Sequence, residues 1–318
     1  MQSAHPVIDN PLIAEFMPPK RIVFIVNPYS GRRLQSRIRN SIDRFLNHRK
    51  FIYSIWFTEY PNHATELARK AASEGFDIVV AVGGDGSINE VAAGLLHTPV
   101  AMGIVPAGSG NGLAMHLGYG RKIEEAIKKL NAAVACRVDC GLLNDRPFVN
   151  VAGIGFDGLV SNLMQGQTRR GFIPYFLKSL KAGLEYTPKP CELVMDDKTI
   201  QEKCFIVSVA NGPMYGYNVS IAPGARMDDG LFTVVVLKEA PRWQYFAAMR
   251  SALTGKIFRE QFVQAYHTSE LLIRSEGENY IHFDGEGVKY TGELHFKMLP
   301  ASLTVLVPQN APYTASSS

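Results

Sequence analysis

The residues best suited to chemistry lie in three glycine-rich stretches. The first is Gly83-Gly84-Asp85-Gly86-Ser87, directly after the apolar run 78–82. Glycines lack a Cβ, so backbone N–H groups there can close on an anion. A helix starting from the stretch would add partial positive charge. The chemistry this suits is phosphate binding. The same stretch reads as a tight turn with a capping box, because Ser87-Ile88-Asn89-Glu90 fits Ser-x-x-Glu. The two readings are compatible. The second stretch is Pro106-Ala107-Gly108-Ser109-Gly110-Asn111-Gly112, in which Ser and Asn alternate with glycine as donors. The third is Asn27-Pro28-Tyr29-Ser30-Gly31, with Asn27 and Ser30 as donors. Any one of them alone is a common turn. Three of them after successive apolar runs favour phosphate.

Two acidic stretches accompany them. Asp284-Gly285-Glu286 follows the apolar run 280–283, and Arg226-Met227-Asp228-Asp229-Gly230-Leu231 precedes another. Both also read as turns, since Asp-Gly is a strong hairpin signal. Asp85 lies inside the first glycine stretch, where its carboxylate could organise Mg²⁺ or its waters. Phosphoryl transfer needs such charge neutralisation and an aligned hydroxyl more than covalent help.

The elements that must position these residues alternate strand and helix from residue 21 onward. Runs 22–26, 51–57, 78–82 and 101–105 are short, apolar and partly β-branched, as in strands buried on both faces. Helices are expected between them, from Leu34, Ile38 and Ile42, from Ala64, Leu67 and Ala71, and from Ile88, Val91 and Leu95 at helical spacing. Asn62 is placed to cap the second helix and Gly75 to end it. The alternation means a parallel sheet wrapped by helices, with ligands beyond the carboxyl ends of its strands. After about residue 139 strands dominate: 204–209, 231–237, 271–274, 280–283, 294–298 and 303–307, with one helix at 242–253. The expected organisation is a tail over 1–20, a nucleotide-binding α/β domain over 21–138, a β-sandwich over 139–299, and a tail over 309–318. Segment 300–308 is a candidate to return to the first domain. The cleft between the two domains is the default ligand site.

Taken together, Asn27-Pro28-x-Ser30-Gly31, Gly83-Gly84-Asp85-Gly86-Ser87-x-Asn89-Glu90 and Pro106-Ala107-Gly108-Ser109-Gly110-Asn111-x-Leu113-Ala114 resemble the catalytic domain of the diacylglycerol kinase superfamily. Its members include diacylglycerol, ceramide and sphingosine kinases and the bacterial lipid kinases. The Gly-Ser-Gly-Asn form, with Thr58-Glu59-x-x-Asn62-His63-Ala64, most resembles the sphingoid-base branch. The resemblance spans residues 21–307. It implies ATP-dependent, Mg²⁺-dependent transfer to a lipid hydroxyl. The implied ATP contacts are Asn27, Pro28, Ser30, Gly31, Thr58, Gly83, Gly84, Asp85, Gly86, Ser87, Ile88, Asn89, Gly108, Ser109 and Asn111. Ser87 stands where the family usually has Thr, and both carry a hydroxyl. Asp284-Gly285-Glu286 resembles the proton-acceptor site of the bacterial lipid kinases, whereas the sphingosine branch gives that role to the residue matching Asp85. Asp85, Asp284 and Glu286 are therefore all candidate catalytic residues. The stretch 226–231 resembles a structural Mg²⁺ site built from the Asp229 side chain and the carbonyls of Arg226 and Leu231.

Composition narrows the partners. With 33 basic and 29 acidic residues the formal charge is +4, without the dense basic stripe that nucleic acid calls for. No apolar run approaches the ~20 residues needed to span a bilayer, and no signal peptide opens the chain. The expected place is the cytoplasm, at most peripheral to the inner membrane face. Cys136, Cys140, Cys191 and Cys204 lack zinc-site spacing and read as reduced thiols. Segment 166–190 mixes Arg169, Arg170, Lys178, Lys181 and Lys189 with large apolar residues, as an interfacial segment or an ordinary packed amphipathic helix does. The expected partner is a lipid substrate at a membrane surface, with a homodimer possible through a free sheet edge. A soluble-substrate kinase such as an NAD kinase shares Gly-Gly-Asp-Gly and is the alternative. A non-catalytic nucleotide-binding protein is a third reading.

Overall fold

A computed structural model describes residues 18–30, 34–164, 182–183, 185–196, 198–216, 219–309 and 311. The first half is built on β1 (Lys20–Val26), β2 (Phe51–Phe57), β3 (Ile78–Gly83) and β4 (Ala101–Pro106). They pair in parallel in the order β2-β1-β3-β4. Every residue of β3 and β4 is buried, which is why these runs carry no polar alternation. The helices α1 (Leu34–Phe45), α2 (His63–Ser73), α3 (Asp85–Leu95), α4 (Gly112–His116) and α5 (Ile123–Leu130) connect and flank the strands. The loops leaving β1, β3 and β4 all lie at the carboxyl edge of this sheet, because the strands run in one direction.

Two local expectations change. Helix α3 begins at Asp85 with Gly84 as its N-cap, and no side chain caps it. Ser87 is therefore inside the first turn, and the capping box does not form. Glu90 instead turns to the next helix: its Oε2 accepts the Ala64 N–H at 3.2 Å. Asn62 adopts a left-handed conformation and makes no cap bond of its own, so α2 takes its capping acceptor from α3.

The second half holds β5 (Val134–Leu143), β6 (Arg146–Phe148), β7 (Val151–Gly155), α6 (Phe156–Met164), β8 (Lys189–Met195), β9 (Thr199–Ala210), β10 (Phe232–Lys238), α7 (Arg242–Leu253), β11 (Val263–Thr268), β12 (Glu270–Ser275), β13 (Asn279–Phe283), β14 (Glu286–Tyr290) and β15 (Leu294–Val307). The chain is thus an α/β half followed by a β-sandwich half. The sandwich closes over Phe148, Leu193, Val207, Phe232, Ile273 and Phe296, all buried. Strand β9 is long enough to pair with β8 through its first half and with β7 and β10 through its second.

The two strands expected at 294–298 and 303–307 are one strand, β15, with an irregularity between Leu299 and Leu303. Its first part pairs with β12, and its end pairs in parallel with β4 through Thr304↔Ala101 and Val305↔Met102. Ala301, at φ +45°, sits in the irregularity. The single strand joins all the described strands into one continuous 15-stranded sheet.

Candidate active site

The glycine stretches meet at the carboxyl edge of the parallel strands. Gly83 accepts the Ala107 N–H at 2.7 Å, which ties the loop after β3 to the loop after β4. The two loops then touch backbone to backbone: a Cβ on Gly108 would lie 2.4 Å from the Cα of Gly84. Only glycine permits that approach. Asn111, at φ +54°, folds the second loop by accepting the Gly108 N–H at 3.1 Å and donating to the Gly108 carbonyl at 2.7 Å. Asn27 donates to the Ser87 hydroxyl at 3.2 Å and accepts the Tyr29 N–H at 3.0 Å. Its side chain therefore joins the loop after β1 to α3.

Asp85 sits where these loops converge. Its Oδ2 accepts the Asn111 N–H and its Oδ1 the Gly112 N–H, both at 2.8 Å. Burial, followed by the nearby charge of Asp284, pushes its carboxyl up to about 6, against the pull of those N–H groups. Asp284 has a different environment. It occupies the tight β13–β14 turn, where Asp284 and Gly285 both have positive φ, at +46° and +88°. The hairpin turn expected there forms. Its Oδ1 accepts the N–H groups of Asn150 and Val151 at 2.9 and 3.0 Å. Its Oδ2 accepts the Val149 N–H at 2.8 Å and the Asn89 side chain at 2.7 Å. Four donors fill the lone pairs of a carboxylate. Asn89 also donates to the Pro147 carbonyl at 3.0 Å, so it latches the α/β half to the sandwich. Glu286, exposed at the cleft rim, lies 3.8 Å from Arg146.

A cavity of about 410 Å³ opens between the two halves. Ser30, Gly84, Asp85, Gly86, Ile88, Gly108 and Ser109 line it from one side. Asn150, Asp157, Tyr215, His282, Asp284 and Glu286 line it from the other. The expected catalytic trio therefore shares one cleft. Thr58 is buried behind β1, its N–H given to the Val26 carbonyl. Asn27, Ser87, Asn89 and Asn111 shape the loops through the bonds above. Gly31 lies outside the described residues, as does most of segment 166–190.

The cleft contains one group that was not expected. Asp157, in the first turn of α6, is buried. Its Oδ2 accepts Tyr215 Oη at 2.6 Å and Ser208 Oγ at 3.1 Å, and lies 3.0 Å from His282 Nε2. Its Oδ1 accepts the Gly158 N–H at 2.8 Å. Among the described residues His282 Nδ1 is buried without a partner. The partners of Asp157 come from β9, β13 and the loop after β9, so no local spacing signals the cluster.

The 226–231 loop lies elsewhere, against Asp139. Arg226 pairs with Asp228 at 3.1 Å. Asp229 is exposed and its Oδ1 accepts the Leu231 N–H at 3.1 Å. Asp139 is buried and holds the N–H groups of Gly230 at 2.8 Å and Ala301 at 2.7 Å. Burial first, then the charges of Asp229 and Asp228, push its carboxyl above the ordinary range. Among the described residues no group of three or more His, Cys, Asp or Glu side chains is arranged to hold a metal.

A parallel sheet whose glycine loops face a β-sandwich across an acid-lined cleft defines a two-part kinase. Residues 21–143 match the model of the diacylglycerol kinase catalytic domain. Residues 150–307 match that of the YegS C-terminal NAD kinase beta sandwich-like domain. The first half is thus of the diacylglycerol kinase catalytic-domain family and the second of the YegS C-terminal family, and the chain is a lipid kinase, an enzyme acting on a hydroxyl. A diacylglycerol kinase of Bacillus subtilis (strain 168) is 28% identical over 299 residues, covering 91% of this chain and 97% of that protein. A YegS-like lipid kinase of Chromohalobacter salexigens is 28% identical over 251 residues, or 77% of this chain and 80% of that one. A diacylglycerol kinase structure from Bacillus anthracis str. Sterne superposes with a TM-score of 0.70 at 21% identity, covering 92% of this chain and 98% of its own. A second structure from that organism reaches 0.76 at 23% identity, covering 92% and 96%. At these identities the structures share the fold.

Proposed function

We propose that the enzyme transfers the γ-phosphoryl group of ATP to a hydroxyl of diacylglycerol, with Asp85 as the proton acceptor. The observation that carries this reading is Asp85 in the cleft, its carboxyl raised to about 6. A general base works best with a value near the operating pH. The neighbouring loop supplies one N–H to each of its oxygens, so a lone pair stays open for a substrate hydroxyl. Asp284 has no such opening and serves as a positioning residue, holding 149–151 and Asn89 in register. Ser30, Ser109 and the N–H groups of the glycine loops face the phosphates. As the proton passes from the acceptor hydroxyl to Asp85, the freed oxygen forms its bond to the γ-phosphorus and ADP departs with the electrons of the broken P–O bond.

Mg²⁺ carried with the triphosphate would supply charge neutralisation. Asp85 suits it, because burial and the nearby charge of Asp284 make its own negative charge costly. A second, structural Mg²⁺ is proposed at Asp229 with the carbonyls of Arg226 and Leu231. One carboxylate with carbonyls and retained waters is an ordinary Mg²⁺ set, and the negative charge of Asp139, Asp228 and Asp229 favours a cation there.

The names of the relatives support diacylglycerol as acceptor. A second reading is a sphingoid base, whose ammonium group would be drawn by charge towards the buried Asp157 in the cleft wall. ATP, Mg²⁺ and a panel of diacylglycerol, ceramide, sphingosine, dihydrosphingosine, phosphatidylglycerol and NAD, read by mass spectrometry, separates these. Phosphatidate as the main product supports the first reading. A phosphorylated long-chain base, lost in Asp157→Asn with the KM for ATP unchanged, supports the second. NADP as the main product removes both.

A further inference from the structure

We propose that the outward face of α7 and the turn that follows it form a docking surface for an anionic lipid bilayer. This rests on the lipid-hydroxyl reading above. A surface helix of a globular protein buries one apolar stripe and turns charged residues to water. Helix α7 is apolar on both sides. Ala248 and Ala252 are buried inward, and Tyr245 stacks on Phe205 with ring centroids 3.8 Å apart. Outward, Trp243 is 68% exposed, Phe246 40% and Leu253 44%, and Phe258 in the next turn is 42% exposed. Positions 243, 246, 250 and 253 recur at helical spacing, so they share a face.

Cations outnumber acids around these side chains. Arg242, Arg250, Lys256 and Arg259 are exposed, and among the described residues none of them makes an ion pair. The nearby acids are engaged elsewhere: Glu239 pairs with Lys203 at 3.4 Å, and Glu260 accepts the Ser251 hydroxyl at 2.5 Å. Aromatic side chains among free cations suit the headgroup layer of an anionic membrane. A second copy of the chain suits it less well. In a two-fold dimer the same patch meets itself, which would set these four cations against four more.

The surface is also continuous with the acceptor side of the cleft. The Ser220 N–H donates to the Ala252 carbonyl at 3.0 Å, and the Tyr215 N–H to the Val219 carbonyl at 2.8 Å. The loop that carries Tyr215 to Asp157 is thus fastened to the end of α7. Phe205, under Tyr245, stacks on Phe156 at 4.7 Å, the residue before Asp157. A bilayer against α7 would hold the acceptor wall close to the lipid surface.

The test uses the full chain. It has two tryptophans, so Trp56→Phe leaves Trp243 as the reporter. With vesicles of phosphatidylglycerol and phosphatidylcholine, Trp243 emission shifts to the blue and is quenched by brominated acyl chains. Pure phosphatidylcholine gives neither effect. The pairs Trp243→Ala with Phe246→Ala, and Arg242→Glu with Arg250→Glu, lower vesicle co-sedimentation and turnover of bilayer-embedded acceptor by about 10-fold or more. Turnover of a dispersed short-chain acceptor stays within about twofold, as expected for surface substitutions away from the cleft. Undiminished vesicle binding in both pairs overturns the proposal. So does a lipid-free dimer, seen by light scattering, that shields Trp243 from quenching. Vesicle binding that depends on α7 without phosphorylation of any lipid removes the functional reading and keeps the surface. Phosphorylation of dispersed acceptor with vesicle binding independent of α7 does the reverse.

Discussion

Asp85 and Asp284 are neighbours with opposite duties, and counting their donors separates them. Asp85→Asn should lower kcat by about 100-fold or more, the usual contribution of a general base. In the wild type, kcat/KM should fall as pH drops through about 6, where the Asp85 carboxyl takes up its proton. The stability effect runs the opposite way. A carboxyl held above its ordinary value favours the fold most at low pH, and that contribution is lost as pH rises through about 6. A pH–rate profile without an acid limb near that value would remove Asp85 from the role. Asp284→Ala strips one acceptor from four donors. It should destabilise the protein by about 2–4 kcal/mol in denaturant titrations, a loss typical of a broken charged network. An Asp284→Ala protein of wild-type stability and low activity would mean that Asp284 acts on substrate instead.

At the scale of elements, the parallel strands and their glycine loops were legible because their constraints are local. A strand buried on both faces has to be a continuous apolar run, and a loop pressed against another backbone has to be glycine. Gly108→Ala puts this to the test, since its Cβ would fall 2.4 Å from the Gly84 Cα. The loops must part, and ATP affinity by calorimetry should fall about 10-fold or more while the sandwich half keeps its strands. What was not legible depends on partners far apart in the chain. The Ser87-to-Glu90 spacing suggested a capping box, but Glu90 serves α2 and Ala64. Asp157 looks like any helix-start acid, and its significance comes from Ser208, Tyr215 and His282, which lie 51, 58 and 125 residues away. The break at 299–302 suggested two strands, because a left-handed Ala301 inside one strand leaves no local mark.

At the scale of the molecule, β15 makes the two halves interdependent. It pairs with β12 of the sandwich and with β4 of the parallel sheet. A chain ending at residue 293 would leave β4, β5 and β12 each unpaired on one side, and unpaired edges invite aggregation. Such a chain should elute from size exclusion as aggregate, and an isolated 21–143 fragment should show no cooperative unfolding. A monomeric, cooperatively folded 21–143 fragment would mean that the parallel sheet does not need the strand.

The same strand sets an order on synthesis. A growing chain usually folds its first domain as that domain leaves the ribosome. Here the strand that covers the flank of β4 carries Thr304 and Val305, made only after the rest of the sandwich half. The glycine loops and Asp85 are made early, but their sheet stays open beside β4 until residues 304 and 305 have emerged. The burden on the cell's chaperones therefore falls on the half that is translated first.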